Sequence, residues 1–536
     1  VAYRLSKVAL SKSINHLTKY GDTDVFPHLQ ELTFFRDHAE EIIEELNNLD
    51  LDSYNPESAM EALAPKSKYG FRITHQLSAL DTLLFLAAVV EIGQQIETHR
   101  LPSSEHHDFS YRFSAETDGN LFLDNHTYKD WLVTQLDHVQ KSLKIKKVVK
   151  TDISDFYARV NFHRLENLLD EAAPGHGAAR YIKKSIKVIR TKQSFGLPVG
   201  GTAARILAEL SLSDTDRALL ENGITATRFV DDFRIYLLEN EDPYDVLSFL
   251  AQQLGVNEGL ALNAAKTSSL TRAEFLTSVK SQTTDIADQA EGEVLDALAA
   301  DVYFNDNPDI EDIEALKAMN LLGFLQEEFD KEEYDVGRVK VIFRALKIAK
   351  PEGAVEYICE NFSELTVFAK EVVLLMQALD EDFPYCFDNL SDTVIDCILE
   401  PPASSVQLIR TWLLEIFARD VASINFAQFK KIENLPTVLD KRQLHIIRGR
   451  LEAKNYFRMN KGNIGQMSRF EQSAFITGAT CLPHDEFKNW IAALKPNFSL
   501  PVDQLFLKWV VTNRNDVLSK VGATSKGIAE YSEPTD

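Results

Sequence analysis

The chain has 536 residues, 45% hydrophobic and 26% charged, which excludes a disordered or low-complexity polypeptide and is long enough for at least two domains. Its 57 Lys and Arg stand against 81 Asp and Glu, a net charge of −24, so bulk charge cannot hold nucleic acid and any polyanion site must be local. The four cysteines, Cys359, Cys386, Cys397 and Cys481, form no CxxC pair and no zinc spacing, which fits a reducing compartment.

Residues 1–60 keep three-or-four spacing of apolar positions, as at Leu29, Leu32 and Phe35 and at Ile42, Ile43 and Leu46, and predict a helical lead-in. The apolar run 83–90 falls far short of the roughly 20 residues of a membrane span. It reads as a buried helix turn, and with no basic-then-apolar signal at the start the expectation is a cytoplasmic protein with no membrane partner. Over 61–275 short β-rich runs, 146–152 and 224–236, alternate with helical stretches and predict an α+β domain. A polar stretch suggests a linker at 276–295. Beyond it, residues 296–536 read as amphipathic helices punctuated by Pro351, Pro384, Pro401, Pro402, Pro436, Pro483, Pro496 and Pro501. Such breaks predict stacked helix pairs, although no fixed-period consensus is present.

The chemistry concentrates in the α+β part. The segment from Lys150 to Tyr157 ends a strand on Asp152, and the stretch from Arg228 to Tyr236 reads as a hairpin whose tip carries Asp231 and Asp232. Hard carboxylate oxygens suit Mg²⁺, and two such ions can clamp an in-line phosphoryl displacement. An Asp-Asp pair at a turn is by itself ordinary turn chemistry. Between the two strands lies Phe195-Gly196-Leu197-Pro198-Val199-Gly200-Gly201-Thr202, followed by a helical run, where glycine permits close backbone approach and a helix start offers N–H groups to phosphate. Lys266, in Leu262-Asn263-Ala264-Ala265-Lys266-Thr267, is placed just past a short strand, where an ammonium could protonate departing pyrophosphate. Two basic clusters flank this centre: Lys141, Lys144, Lys146, Lys147 and Lys150, then Arg180, Lys183, Lys184, Lys187, Arg190 and Lys192. One alone would be a solvated face; two around an acidic centre suggest a phosphate-backbone track.

In this order and spacing the elements resemble the palm of reverse transcriptases. Pro65-Lys66-Ser67-Lys68-Tyr69-Gly70-Phe71-Arg72 looks like the family's first fingers motif, and Tyr111-Arg112-Phe113 fits the next. The resemblance covers about residues 60–275. It implies Asp152 and Asp231 as metal ligands, Asp232 as a supporting carboxylate, and Lys66 with Arg72 as a clamp on the incoming triphosphate. Gly196, Pro198 and Gly200 would position substrate, and Tyr157 would be a steric gate against the ribose 2′-hydroxyl, so that dNTPs are the expected substrates. Val199 stands where many members carry Gln, and Gly201-Thr202 replaces the usual Ser-Pro, which alters the template-positioning surface.

Reverse-transcriptase motifs joined to a C-terminal helical array are most similar to the abortive-infection enzymes of phage defence. The architecture this implies is a right-hand-type fingers and palm followed by an all-α, HEAT-like repeat domain. The implied activity is Mg²⁺-dependent DNA synthesis in antiphage defence, protein-primed and template-independent, by a homo-oligomer whose single-stranded DNA product stays covalently attached. Tyr3, Tyr20 and Tyr54 are priming candidates by position, whereas His163 and His176 read as structural. The rival reading is a templated RNA-directed DNA polymerase copying a partner RNA. A third is an idle palm serving as a sensor or scaffold, against which the intact Asp152, Asp231, Asp232 and Lys266 argue.

Overall fold

Val148 and Val149 are neighbours in sequence and both are fully buried, so the strand that carries them is covered on its two faces. The computed structural model describes residues 2–66, 69–114, 119–190, 193–283 and 310–520. Six strands occur among them: β1 (Met60–Pro65), β2 (Phe71–Gln76), β3 (Ile145–Asp152), β4 (Ala226–Phe229), β5 (Asp232–Leu238) and β6 (Ser268–Thr271). The chain divides into two units. One comprises Val1–Tyr3, Leu51–Ser58 and Phe85–Met319, the other Arg4–Asp50, Ala59–Leu84 and Asn320–Asp536.

The first unit is α+β, built on an antiparallel sheet in the order β4-β5-β3-β6. Helix Tyr128–Lys141, opened by a Thr127/Asp130 capping box, lies against β4 and against helix Arg272–Thr283. Its fully buried Trp131 donates its indole N–H to Thr227 Oγ1 at 3.0 Å, which fixes the large ring by a polar handle as well as by packing. Helices Gly93–His99, Phe162–Ala172, Gly177–Ile189, Thr202–Ser211, Ser213–Glu221 and Pro243–Gln253 also belong to the unit. The expected linker begins inside helix Arg272–Thr283; residues 284–295 lie outside the described residues, as does Lys192.

The second unit is mainly helical. Helices Val336–Ala349, Ala369–Asp382, Gln407–Ala418, Val438–Arg450 and Arg469–Gly478 pack each on the next, while the intervening Ala354–Leu365, Ser391–Leu399 and Phe426–Ile432 form a second row. This alternation is a helical-repeat array following the α+β region, as the proline punctuation implies. Two polar pairs join helices Gln407–Ala418 and Val438–Arg450: Arg410 holds Asp440 bidentately at 2.8 and 2.8 Å, and Gln443 donates to Glu415. The N-terminal helices Lys7–Tyr20, Glu31–Asp37 and Ala39–Asn47 belong to this unit. Gln30 bonds Thr477 Oγ1 at 2.7 Å, Arg442 pairs with Glu31 at 3.0 Å, and the Trp509 indole donates to Asp37 at 2.9 Å. The β1-β2 hairpin also falls here.

The run 83–90 lies in helix Ala79–Glu91 and is buried throughout. No single helix among the described residues is long and apolar enough to cross a membrane. Helices Val438–Arg450 and Arg469–Gly478 meet at two glycines, where a Cβ on Gly449 would lie 2.7 Å from Gly478 Cα. Gly449→Ala should therefore force the helices apart at a cost of about 1–3 kcal/mol. Its Tm should fall by several degrees, while Gly462→Ala, where a Cβ meets nothing within 4 Å, leaves the melting curve in place.

Candidate active site

The turn carrying the acidic pair is held from beneath by a buried ion network. Arg228, fully buried at the penultimate position of β4, bonds Asp216 through Nε at 3.0 Å and Nη2 at 2.6 Å, and Glu209 and the Val230 carbonyl through Nη1, both at 2.8 Å. Arg100 bridges Asp108 and Glu209 at 3.2 Å each, and Arg112 closes on Asp108 and Glu97. Ser110 donates to Glu209 at 2.7 Å and accepts the Val230 N–H at 2.8 Å. Burial pushes the Asp216 carboxyl up, but Arg228 and His107 pull it further down, so the net displacement is well below the carboxylate range. Glu209 is displaced upward because burial outweighs Arg228 and Arg100.

These bonds fix both sides of Val230, whose φ of 55° is a left-handed conformation that a β-branched residue rarely adopts. With Phe229 paired to Asp232, the connection is a two-residue hairpin of Val230 and Asp231. Asp232 is in turn directly opposite Asp152 in the β3-β5 register, and the Asp231 carbonyl accepts the Ile153 N–H at 3.1 Å. The three carboxylate residues predicted from sequence therefore gather at adjoining strand ends. Burial, then the charges of Asp152 and Asp232, push the Asp231 carboxyl up to about 7. Asp232 is also raised, by burial with Asp152, against the opposing pull of Arg234 at 3.7 Å.

Lys266 comes to Asp152 from a short 3₁₀ turn, Ala264–Lys266, that precedes β6 rather than following a strand. Asn263 donates its backbone N–H to the Asp152 carbonyl at 2.7 Å and its side-chain amide to Oδ2 at 3.1 Å. Thr151 and Thr267 join hydroxyls at 2.7 Å. The Lys266 ammonium then lies 3.2 Å from Asp152 Oδ1, and although burial acts against its charge, Asp152 outweighs this and raises its pKa.

The glycine loop is stapled to the segment that follows β3. Leu197 N–H donates to the Tyr157 carbonyl at 2.7 Å and Gly196 N–H to the Val160 carbonyl at 2.8 Å. Gly196 has φ 94°, and a Cβ there would lie 2.9 Å from the Ala158 carbonyl oxygen, so only glycine fits. Pro198 is buried, Gly200 turns the chain at φ 104°, and Gly201 caps helix Thr202–Ser211. Burial, then Tyr111, raise the Tyr157 phenol well above its usual range, with Arg205, Glu209 and Asp231 also in electrostatic reach. Sequence reading passed over Arg205, whose guanidinium lies 5.2 Å over the Tyr111 ring, and Asn263 as a partner of Asp152.

Other expected residues have different surroundings. Lys66 and Arg72 are exposed on the β1-β2 hairpin of the second unit, whose tip is closed by Lys66 N–H on the Gly70 carbonyl at 2.8 Å. In the second basic cluster Arg180 pairs with Asp52, Lys183 with Asp170 and Lys187 with Glu166, so carboxylates meet three of its six cations. The Tyr3 ring packs on Gly177 and, edge-on at 5.8 Å, on His176, with its hydroxyl buried. Tyr54 is buried as well, while Tyr20 is 48% exposed. His176 caps helix Gly177–Ile189 by accepting the Ala178 N–H, a structural role.

Residues 91–295 match the family described as reverse transcriptase (RNA-dependent DNA polymerase). The chain carries a reverse-transcriptase-like domain. The matched span contains every strand of the four-stranded sheet and begins after Lys66 and Arg72. No curated protein matches the chain. Among solved structures, apo telomerase from Candida tropicalis is 14% identical, with 67% of this chain and 69% of that chain covered at a TM-score of 0.32. Telomerase from Candida albicans, in complex with a TWJ fragment of telomeric RNA, is 11% identical, with 73% and 72% covered at a TM-score of 0.30.

Among the described residues no three His, Cys, Asp or Glu side chains converge as a metal-binding group. The chemistry of the donors nonetheless suits a hard divalent cation, since Asp231 is pushed up partly by like charges that such an ion would neutralise.

Two predictions follow from the site's electrostatics. Arg228→Met leaves Asp216 buried without its arginine and Glu209 with Arg100 alone, and should cost about 3–5 kcal/mol, read as a lower urea midpoint. Asp231 binds its proton more tightly folded than unfolded, so its contribution is present at acid pH and is lost as pH rises from about 4 through 7. Asp231→Asn should then stabilise the metal-free protein at pH 8, by on the order of 1–3 kcal/mol, and give no gain at pH 4. Paired thermal melts in chelator check it.

Proposed function

We propose that the first unit is an RNA-directed DNA polymerase. The observation that carries this reading is the meeting of Asp152, Asp231 and Asp232 at adjoining strand ends inside the segment matched to the reverse-transcriptase family. In the proposed reaction a primer 3′-hydroxyl attacks the α-phosphorus of a dNTP, the new P–O bond forms, and the bond to pyrophosphate breaks. Asp152 and Asp231 would hold Mg²⁺, with Asp232 in support, and the bound ion would supply charge neutralisation to the phosphoryl transfer. Lys266, kept protonated by Asp152, contributes positive charge beside the leaving group. Tyr157, fixed at its backbone by Leu197, excludes a ribose 2′-hydroxyl, and the Gly196-to-Gly200 loop positions the nucleotide and the template.

The family match supports templated synthesis before the protein-primed, template-independent antiphage reading, because its description names an RNA-dependent enzyme. Purified protein given Mg²⁺, labelled dNTPs and an RNA template with a DNA primer should extend the primer. Asp152→Asn and Asp231→Asn should each reduce extension at least about 10³-fold without lowering the Tm. Tyr157→Ala should raise ribonucleotide incorporation relative to deoxynucleotide. Full activity of the double aspartate variant would overturn the assignment. Label formed without template and released from protein only by proteolysis would favour the protein-primed reading instead.

A further inference from the structure

Each carboxylate oxygen of Asp152 has a partner of a different kind. Oδ2 accepts the Asn263 side-chain amide at 3.1 Å, and Oδ1 accepts the Lys266 ammonium at 3.2 Å. The Asp152 side chain is only 6% exposed, whereas that of Lys266 is 60% exposed and Asn263 is half-buried. The more open approach to Asp152 is therefore the one that Lys266 occupies.

The two partners are also held differently. Asn263 donates its backbone N–H to the Asp152 carbonyl at 2.7 Å, its side-chain Oδ1 accepts the Ala265 N–H at 3.2 Å, and its carbonyl accepts the Thr267 hydroxyl at 2.8 Å. Because Oδ1 takes an N–H, the amide nitrogen is the end that faces Asp152. Lys266 is anchored at its backbone, where its N–H donates to the Asn263 carbonyl at 3.1 Å, and its ammonium rides on a flexible four-carbon stem. The amide is thus fixed on Oδ2 while the ammonium is free to swing off Oδ1.

The polymerase reading, on which this inference rests, asks Lys266 for two things that exclude each other. An ammonium on Oδ1 repels a divalent cation on the same oxygen, and it is not available to the leaving group. We propose that Lys266 holds on Asp152 Oδ1 the place of the divalent cation and gives it up when the ion binds, while Asn263 is the positioning residue that keeps the carboxylate turned for the exchange. A neutral amide suits that part, since it orients a ligating carboxylate from behind without competing as a charge. The released ammonium stays within electrostatic reach of Asp231 and Asp232 and becomes free for a pyrophosphate oxygen. Loading the ion and freeing the lysine are then one event.

The test titrates Mn²⁺ into the full chain by calorimetry, without nucleotide, and reads a binding constant rather than turnover. Lys266→Met removes the competing ammonium at similar length and should tighten Mn²⁺ binding at least about threefold, whereas Lys266→Arg should not. Asn263→Ser keeps a side chain that accepts the Ala265 N–H but does not reach Asp152, and should weaken Mn²⁺ binding about tenfold with an unchanged Tm in chelator. Primer extension by Lys266→Met should fall although its ion binds more tightly, a pair of opposite signs that structural damage does not produce. In the unmodified sequence, acylation of Lys266 by a water-soluble reagent, read by peptide mass, should speed up at least about twofold on adding Mn²⁺, because the ammonium leaves Asp152. Unchanged Mn²⁺ affinity in Lys266→Met, or acylation that ignores Mn²⁺, overturns the exchange and leaves the polymerase reading standing. Full affinity in Asn263→Ser overturns the part given to Asn263. Equal Mn²⁺ binding by the unmodified chain and Asp152→Asn overturns the exchange together with the metal reading of the site.

Discussion

Arg228 is the constraint on which the candidate active site depends. It is fully buried, and its five donors are spent on Asp216, Glu209, Asp108 and the Val230 carbonyl, so the guanidinium ties the helices Thr202–Ser211 and Ser213–Glu221 to the end of β4. A buried ion network of this kind is poor evidence of added stability, because hydrophobic replacement can be as stable. Its value is geometric. It holds the carbonyl of Val230 while Ser110 holds the N–H, and a valine at φ 55° persists only where its surroundings over-determine it. The strain at Val230 is what sends the chain directly from β4 into β5 and leaves Asp231 and Asp232 facing the end of β3.

That placement sets one electrostatic problem against another. Below the turn every carboxylate of the network is compensated by arginine; above it, Asp152, Asp231 and Asp232 are crowded, with Lys266, Arg234 and Lys150 as counter-charges. Both Asp152 oxygens are engaged, by Lys266 and by Asn263, which leaves Asp231 to carry the unrelieved repulsion. An added positive charge beside Asp231 would therefore relieve much of the repulsion among the three carboxylates. In the absence of one, a proton is the cheapest substitute, and Asp231 takes it near neutrality.

Much of this was legible from residue order, because the signals are local. A strand ending on Asp152, a hairpin tip at Asp231 and Asp232, and a glycine loop before a helix are each written in fewer than ten consecutive residues. The supports were not legible. Arg228 reads as one more basic residue in a strand, and its partners Asp108, Glu209 and Asp216 are separated from it by 12 to 120 positions. Arg205 sits on the helix after the glycine loop, where periodicity marks only which face is apolar, and nothing local indicates that its guanidinium covers Tyr111. The ion pairs of the basic clusters were illegible for the same reason, since the carboxylates that meet Arg180, Lys183 and Lys187 lie on other elements.

The second unit carries the argument further. Its helices were predictable from proline spacing and apolar periodicity, but its membership was not, because Glu31 meets Arg442 and Asp37 meets Trp509 across more than 400 residues. The N-terminal helices add buried aromatic surface to the array, with Phe34 packed on Phe506 and Trp509 at 5.4 and 5.8 Å. A repeat array normally ends where neighbour contacts run out and a polar cap is needed. Here residues from the start of the chain supply part of that closure. The same rule brings the β1-β2 hairpin against helix Gln407–Ala418, and Arg72, read from sequence as a fingers residue, shares its surroundings with Lys340 and Lys370. A residue's neighbours, and with them its chemistry, are set by which core its segment joins, and for Arg72 that core is the helical one.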